Sequence, residues 1–295
     1  MAEYILSCCS TADLTEEHFL ARGIRYNCFH YALGDQEYPD DLGKTIPFAE
    51  FYKRMEEGEM TRTSQINVEE FVNYFEPMLK EGKDVLHVTL SSGLSGVYNS
   101  AVAAAALLKE KYPERKLYVV DSLGAASGVG LFMDKLADLR DEGKSVTELY
   151  TWAEDHKLNV NYWFFSTDLK YYVRGGRISK ASGFLGGLLK ICPLLNMDDL
   201  GKLVPRSKVR GLKKVSEEIV KRMEEWAENG LEYADKCYVS HSAFEAEARA
   251  VADTIEARFP KLKGKVELYN IGTTIGSHTG PGTVAVFFWG KKRTR

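Results

Sequence analysis

Hydrophobic and polar positions alternate between two periods along the first half of the chain. Short apolar runs at Tyr4–Cys8, Ile24–Tyr31, Asp84–Leu90 and Lys116–Val120 read as strands. Between and after them, Phe48–Glu57, Val68–Lys80, Val97–Lys111, Gly124–Arg140 and Val146–His156 carry the helical period, and the first two have acids near their starts. Apolar strands alternating with helices predict a mostly parallel sheet covered on both faces, a three-layer α/β/α unit over residues 1–160.

The texture changes near residue 161. Tyr162–Ser166, Ile191–Met197, Lys202–Val209, Cys237–Ser240, Val266–Tyr269 and Thr283–Trp289 read as strands. Two segments, Lys213–Asn229 and Phe244–Phe259, are amphipathic helices, and the turn-rich stretch MDDLG at 197–201 marks a hairpin. Strands grouped with fewer helices predict a second α/β domain, residues 161–295, with a mixed or antiparallel sheet. A length of 295 residues suits two domains better than one.

Charge and cysteine content narrow the class. The net charge of −3 is spread along the chain, and the short KKRTR tail is no basic stripe, so nothing asks for nucleic acid. The first residues hold an acid at position 3 and too short an apolar core for a signal peptide. The long uncharged stretch Leu268–Gly290 is interrupted by five glycines and Pro281, so it reads as strand, loop and strand rather than a membrane span. Five cysteines with no CxxC spacing read as reduced thiols of a cytoplasmic protein.

The candidate chemistry begins where the strand ending at Leu90 meets the helix starting at Val97. The linking letters, Ser91-Ser92-Gly93-Leu94-Ser95-Gly96, combine three hydroxyls, two glycines and a helix N-terminus. Such a loop, at the carboxyl end of a parallel strand, suits a small anion. It lacks the lysine of a P-loop, the Gly-x-Ser-x-Gly of a hydrolase elbow and the G-x-G-x-x-G of a dinucleotide site. A carboxylate cradle and a plain helix cap with a tight turn both fit what remains.

Three other pieces stand out. Thr61-Arg62-Thr63-Ser64-Gln65 is a second hydroxyl-rich approach to a helix, readable as ligand site or capping segment. His278, in the loop Gly276-Ser277-His278-Thr279-Gly280-Pro281-Gly282, is either a positioned donor or surface polarity, and no partner at metal spacing accompanies it. Arg174-Gly175-Gly176-Arg177 offers two cations for an anion or for surface acids, and Gly183–Leu189 could be the wall of an apolar site or a tightly packed helix.

Taken in order, Thr63-Ser64-Gln65, the Ser91–Gly96 loop, Arg174-Gly175-Gly176-Arg177-Ile178, Lys208-Val209-Arg210 with Lys213-Lys214, and His278-x-Gly-Pro-Gly resemble the DegV family over nearly the whole chain. The resemblance implies a two-domain protein with a long-chain fatty acid buried between its domains and no other cofactor. It further implies a non-catalytic role, presenting the acid to a separate ATP-dependent fatty acid kinase subunit that makes an acyl phosphate, with transient membrane contact compatible with that task. Carried over by position, Thr63 and Ser95 would hold the carboxylate with His278 beside it, and Ser64, Ser92 and the N–H of Gly96 would be further donors. Arg177 would be a structural or partner-facing residue, and Lys208, Arg210 and Lys213 would help dock the partner. The sequence departs from the family where a strand usually runs into Asp-Ser-Thr or Asp-Ser-Ala: here the letters are Cys9-Ser10-Thr11. The segment Cys28–Tyr38 is also unlike the family form.

The energetics suit such a ligand. About 14 methylenes at ~0.8 kcal/mol each give roughly 11 kcal/mol of gross transfer energy, from which ordering of ligand and site takes a large share. The competing expectations are a hydrolase or transferase using Ser95 or Ser92 with His278 as base, and a regulatory protein that senses another amphiphile.

Overall fold

The computed structural model describes residues 4–179 and 191–295. In chain order the elements of the first part are β1 (Tyr4–Cys9), α1 (Glu16–Ala21), β2 (Ile24–Asn27), β3 (His30–Leu33), β4 (Gln36–Pro39), α2 (Phe48–Glu56), β5 (Thr61–Ser64), α3 (Val68–Lys80), β6 (Asp84–Thr89), α4 (Val97–Lys111), β7 (Leu117–Asp121), α5 (Ser127–Asp141) and α6 (Val146–His156). There follow β8 (Val160–Ser166), α7 (Lys170–Arg174), β9 (Ile191–Met197), β10 (Leu203–Arg210), α8 (Leu212–Trp226), β11 (Cys237–Ser242), α9 (Glu245–Arg258), β12 (Val266–Asn270), α10 (Thr273–Thr279) and β13 (Thr283–Trp289). The expected wall at Gly183–Leu189 lies outside the described residues.

The first sheet is all parallel, in the order β2-β1-β6-β7. Its central strands bury Leu6, Cys8, Val85, Leu86 and Val88, as a strand covered on both faces must. The helices over it start at local signals: α3 opens with a capping box in which Asn67 and Glu70 satisfy each other's backbone N–H. The second sheet is mixed, in the order β10-β9-β8-β13-β11-β12, with β11–β12 its parallel pair. Both sheets follow the expected classes.

Helix α5 joins the two sheets, packing on β1 and also on β8, β11 and β13. The fit depends on Gly128, where a Cβ would come within 2.2 Å of the Tyr162 ring and 2.7 Å of Phe287. The largest core cluster therefore runs continuously from β1 to β13.

Three expectations fail. The apolar run Ile24–Tyr31 is not one strand: it divides at Cys28-Phe29 into β2, in the parallel sheet, and β3, in a separate antiparallel sheet of order β4-β3-β5. A period-two pattern has no mark for a change of sheet. Thr61–Gln65, readable as ligand site or capping segment, is mostly strand β5, the edge of that small sheet, and α3 is capped by Asn67 instead. Residues 276–279, read as loop, belong to helix α10, which ends at Gly280 with φ +68°. Here packing overrides weak helix propensity: α10 lies against α2, α7, β3 and β5, and Gly276 leaves room for the Tyr52 hydroxyl 2.4 Å from where its Cβ would be. No helix among the described residues is long and apolar enough to cross a membrane.

Candidate functional site

The strand order places the Ser91–Gly96 loop at a topological switch point. From β1 the sheet extends to β2 on one side and to β6 and β7 on the other, so loops leaving the carboxyl ends of β1 and β6 diverge around a crevice. A cavity of about 580 Å³ opens there, bounded by this loop, β5, α10 and the inner face of β8 and β13.

One end of the cavity is polar. Thr63, on β5, has its Oγ1 2.8 Å from Nε2 of His278, on α10. Ser95 donates from Oγ to Oε1 of Gln65 at 3.0 Å, and its Oγ accepts the N–H of Val97 at 3.2 Å. The cradle and the capping reading of this loop thus meet in one residue. Ser64, Gln65 and Gly96 line the same end and are exposed, so it opens to solvent. Arg177 also lines it, donating from Nη2 to the carbonyl of Leu94 at 3.1 Å and from Nη1 to the carbonyl of Gly175.

His278 is neutral at neutral pH. Burial, followed by the charges of Arg177 and Arg174, pushes its pKa down from 6.5 to about 4. Its Nδ1 is buried without a hydrogen-bond partner among the described residues, and a Cβ on Gly175 would fall 2.3 Å from that atom. When Nε2 carries the proton, it donates to Thr63, whose own O–H is then free for an anion. Burial lowers the pKa of Arg177, yet a guanidinium remains charged.

The deeper wall is apolar. Side chains two apart on adjacent strands face inward: Tyr162 and Phe164 from β8, Ala285 and Phe287 from β13. Ala125, Ala126, Met197 and Leu203 add to it, and Phe29, Leu94 and Ile275 close the sides. The whole is shaped for an amphiphile with one anionic end.

The sequence-derived residues separate into three groups. Thr63, Ser64, Ser95, Gly96, Arg177 and His278 are brought together around the polar end. Ser92 is not: it is exposed, outside the lining, and its N–H donates to Oδ1 of Asp121 at 3.1 Å. The reason is that Asp121 also takes the N–H of Leu123, clamping the loop over the sheet end with Ser92 outward. Lys208 and Arg210 on β10 and Lys213 on α8 are exposed and do not line the cavity. His278 bonds Thr63, and Ser95 bonds Gln65, so the serine–histidine pair of the hydrolase expectation is not formed. Cys9, at the departure from the family letters, is buried with Sγ 3.7 Å from Nε2 of His87 and its thiol pushed up to about 12 by burial.

Two parts of the site escape the sequence reading. Gln65 gave no sign that it would receive Ser95. The aromatic wall was visible only as the alternation Tyr162, Phe164 and Ala285, Phe287, which needs the β8–β13 pairing before it means a surface.

Comparison with known proteins agrees with this architecture. The family model described as "Uncharacterised protein, DegV family" matches residues 9–291. A DegV domain-containing protein of Clostridium perfringens is 34% identical over 290 residues, 98% of each chain. A fatty acid-binding protein of Thermotoga maritima is 34% identical over 238 residues, 79% of each chain. Among solved structures, a DegV family protein from Thermus thermophilus, described for its fatty acid binding, superposes with a TM-score of 0.86 at 29% identity, covering 98% of this chain and 99% of that one. The B3 protein of the Streptococcus pneumoniae fatty acid kinase, loaded with linoleic acid, has a TM-score of 0.83 at 21% identity, with 99% and 100% covered, a likeness of fold alone. The chain is a member of the DegV family.

Proposed function

We propose that this chain binds a long-chain fatty acid. Its carboxylate lies against Thr63, Ser95 and His278, with Ser64 and the N–H of Gly96 as further donors, and its tail runs along Tyr162, Phe164, Ala285 and Phe287. The observation that carries the reading is one continuous cavity of about 580 Å³ with hydroxyls and a neutral imidazole at one end and aromatic and aliphatic side chains beyond. Burying apolar chain supplies affinity, and an anion taken from water needs donors at its end of the cavity. Ligand binding by the Thermotoga and Thermus relatives supports the assignment. In this reading residues 1–160 and 161–295 form the two domains, and the acid lies between their sheets.

The proposal extends to presentation. The exposed Ser64, Gln65 and Gly96 leave the carboxylate end reachable from outside, as transfer from a separate ATP-dependent kinase subunit would require. Arg177 and the exposed Lys208, Arg210 and Lys213 would meet that subunit. Phosphoryl transfer would be the work of the partner, since presentation asks this chain only to hold and orient the acid.

Mass spectrometry of lipid extracted from the purified protein tests the assignment. A stoichiometric long-chain acid is expected. A pocket that is empty and also refuses added acid contradicts it, while acyl phosphate formation with ATP and a cognate kinase subunit tests the extension.

A further inference from the structure

The aromatic wall of the cavity carries the hydroxyl of Tyr162. Tyr162 is buried and lines the cavity, and its phenol makes no hydrogen bond among the described residues. Buried tyrosine hydroxyls are ordinarily paired. This one is also held in place. A Cβ on Gly124 would lie 2.0 Å from its oxygen, and one on Gly128 2.2 Å from its Cε1, so two glycines form the socket of the ring. The Arg293 guanidinium lies 4.8 Å from the ring centroid, and Phe287 meets the ring edge-on at 5.6 Å and 75°. A phenylalanine would fill the same socket without offering an oxygen to the cavity.

The phenol oxygen lies beside Gly124, whose carbonyl accepts the N–H of Ser91 at 2.9 Å.

We propose that the preferred ligand is an oxygenated fatty acid, one whose chain carries a hydroxyl that pairs with the phenol of Tyr162. This rests on the fatty-acid reading above. A hydroxyl on the chain would otherwise be buried unpaired, which disfavours such ligands in an apolar channel. Tyr162 removes that penalty at one depth and satisfies both groups at once.

The test is equilibrium binding of octadecanoic acid and of its 10-hydroxy and 12-hydroxy derivatives to wild-type protein and to Tyr162→Phe. A thermal midpoint near that of wild type shows that the variant is folded, and each hydroxy acid is read relative to octadecanoic acid in the same protein. Relative to octadecanoic acid, Tyr162→Phe should bind at least one hydroxy acid roughly 3–10-fold more weakly than wild type does, the value of one neutral hydrogen bond. If Tyr162→Phe weakens all three acids alike, or none, the phenol reads no hydroxyl and the inference falls while the fatty-acid reading stands. If wild type binds none of the three, both fall.

Discussion

Thr63 and His278, separated by 215 residues, meet through an Oγ1–Nε2 contact of 2.8 Å. The contact joins the edge strand of a small sheet formed by the first quarter of the chain to a short helix near its end. It brings a hydroxyl and a neutral imidazole to the mouth of an apolar cavity, and the functional account rests on that pairing.

Removing the Thr63 hydroxyl should weaken acid binding without unfolding the protein. Thr63→Val keeps the shape and deletes the donor, and a hydrogen bond to a charged group contributes about 1.5–3 kcal/mol, so the dissociation constant should rise roughly 10–100-fold. Thr63→Ser should stay near wild type. Ser95→Ala should act in the same direction as Thr63→Val. Unchanged titrations for both Thr63→Val and Ser95→Ala would move the head group elsewhere.

The second expectation concerns pH. His278 has its folded pKa pushed down to about 4 from 6.5. Between those values the unfolded chain binds a proton that the folded chain refuses, so stability present above pH 6.5 is lost as pH falls toward 4. Burial pushes His87 down to about 3 in the same sense. Urea midpoints compared between wild type and His278→Gln isolate the first residue: the advantage of wild type should shrink from pH 7 to pH 4.5. A difference that does not vary with pH would contradict the burial assigned to this imidazole.

The third concerns the loop's shape. A Cβ on Gly93 would lie 2.5 Å from the carbonyl oxygen of Leu200 and 2.7 Å from that of Gly201, both backbone atoms at the β9–β10 turn. Ser91 reinforces the contact by donating to the Gly201 carbonyl at 2.8 Å. Gly93→Ala should therefore destabilise the fold by about 1–3 kcal/mol, seen as a lower thermal midpoint. An unchanged midpoint would mean that the turn does not seat on the loop.

Much of this was legible in the sequence where local chemistry and tertiary structure agree. Val68–Lys80 was readable to the residue because Asn67 and Glu70 cap it and its apolar face follows the helical period. Val97–Lys111 was bounded by a glycine-rich loop before it and a proline soon after it. The parallel first sheet followed from apolar strands alternating with helices. What failed depended on contacts between distant segments. Phe29 ends the pairing of β2 because its N–H donates to Ser10 Oγ and its carbonyl accepts from Asp40, pinning it beside the cavity. The glycines of α10 looked like turn residues, yet Gly276 is there to admit Tyr52. Ser91, Ser92 and Ser95 were equivalent as letters, and only the clamps made by Asp121 and Gly201 decide that Ser95 is the one that lines the cavity.

The central claim is that an enclosed oily channel grips a single anionic end with Thr63, Ser95 and a neutral His278. Titration of lipid-free protein with hexadecanoic acid and with its methyl ester, at neutral pH, tests it most directly. Saturable one-to-one binding of the acid is predicted, with the ester at least about 10-fold weaker because it cannot draw charge-assisted hydrogen bonds. Equal binding of acid and ester, or saturable binding of neither, would contradict it.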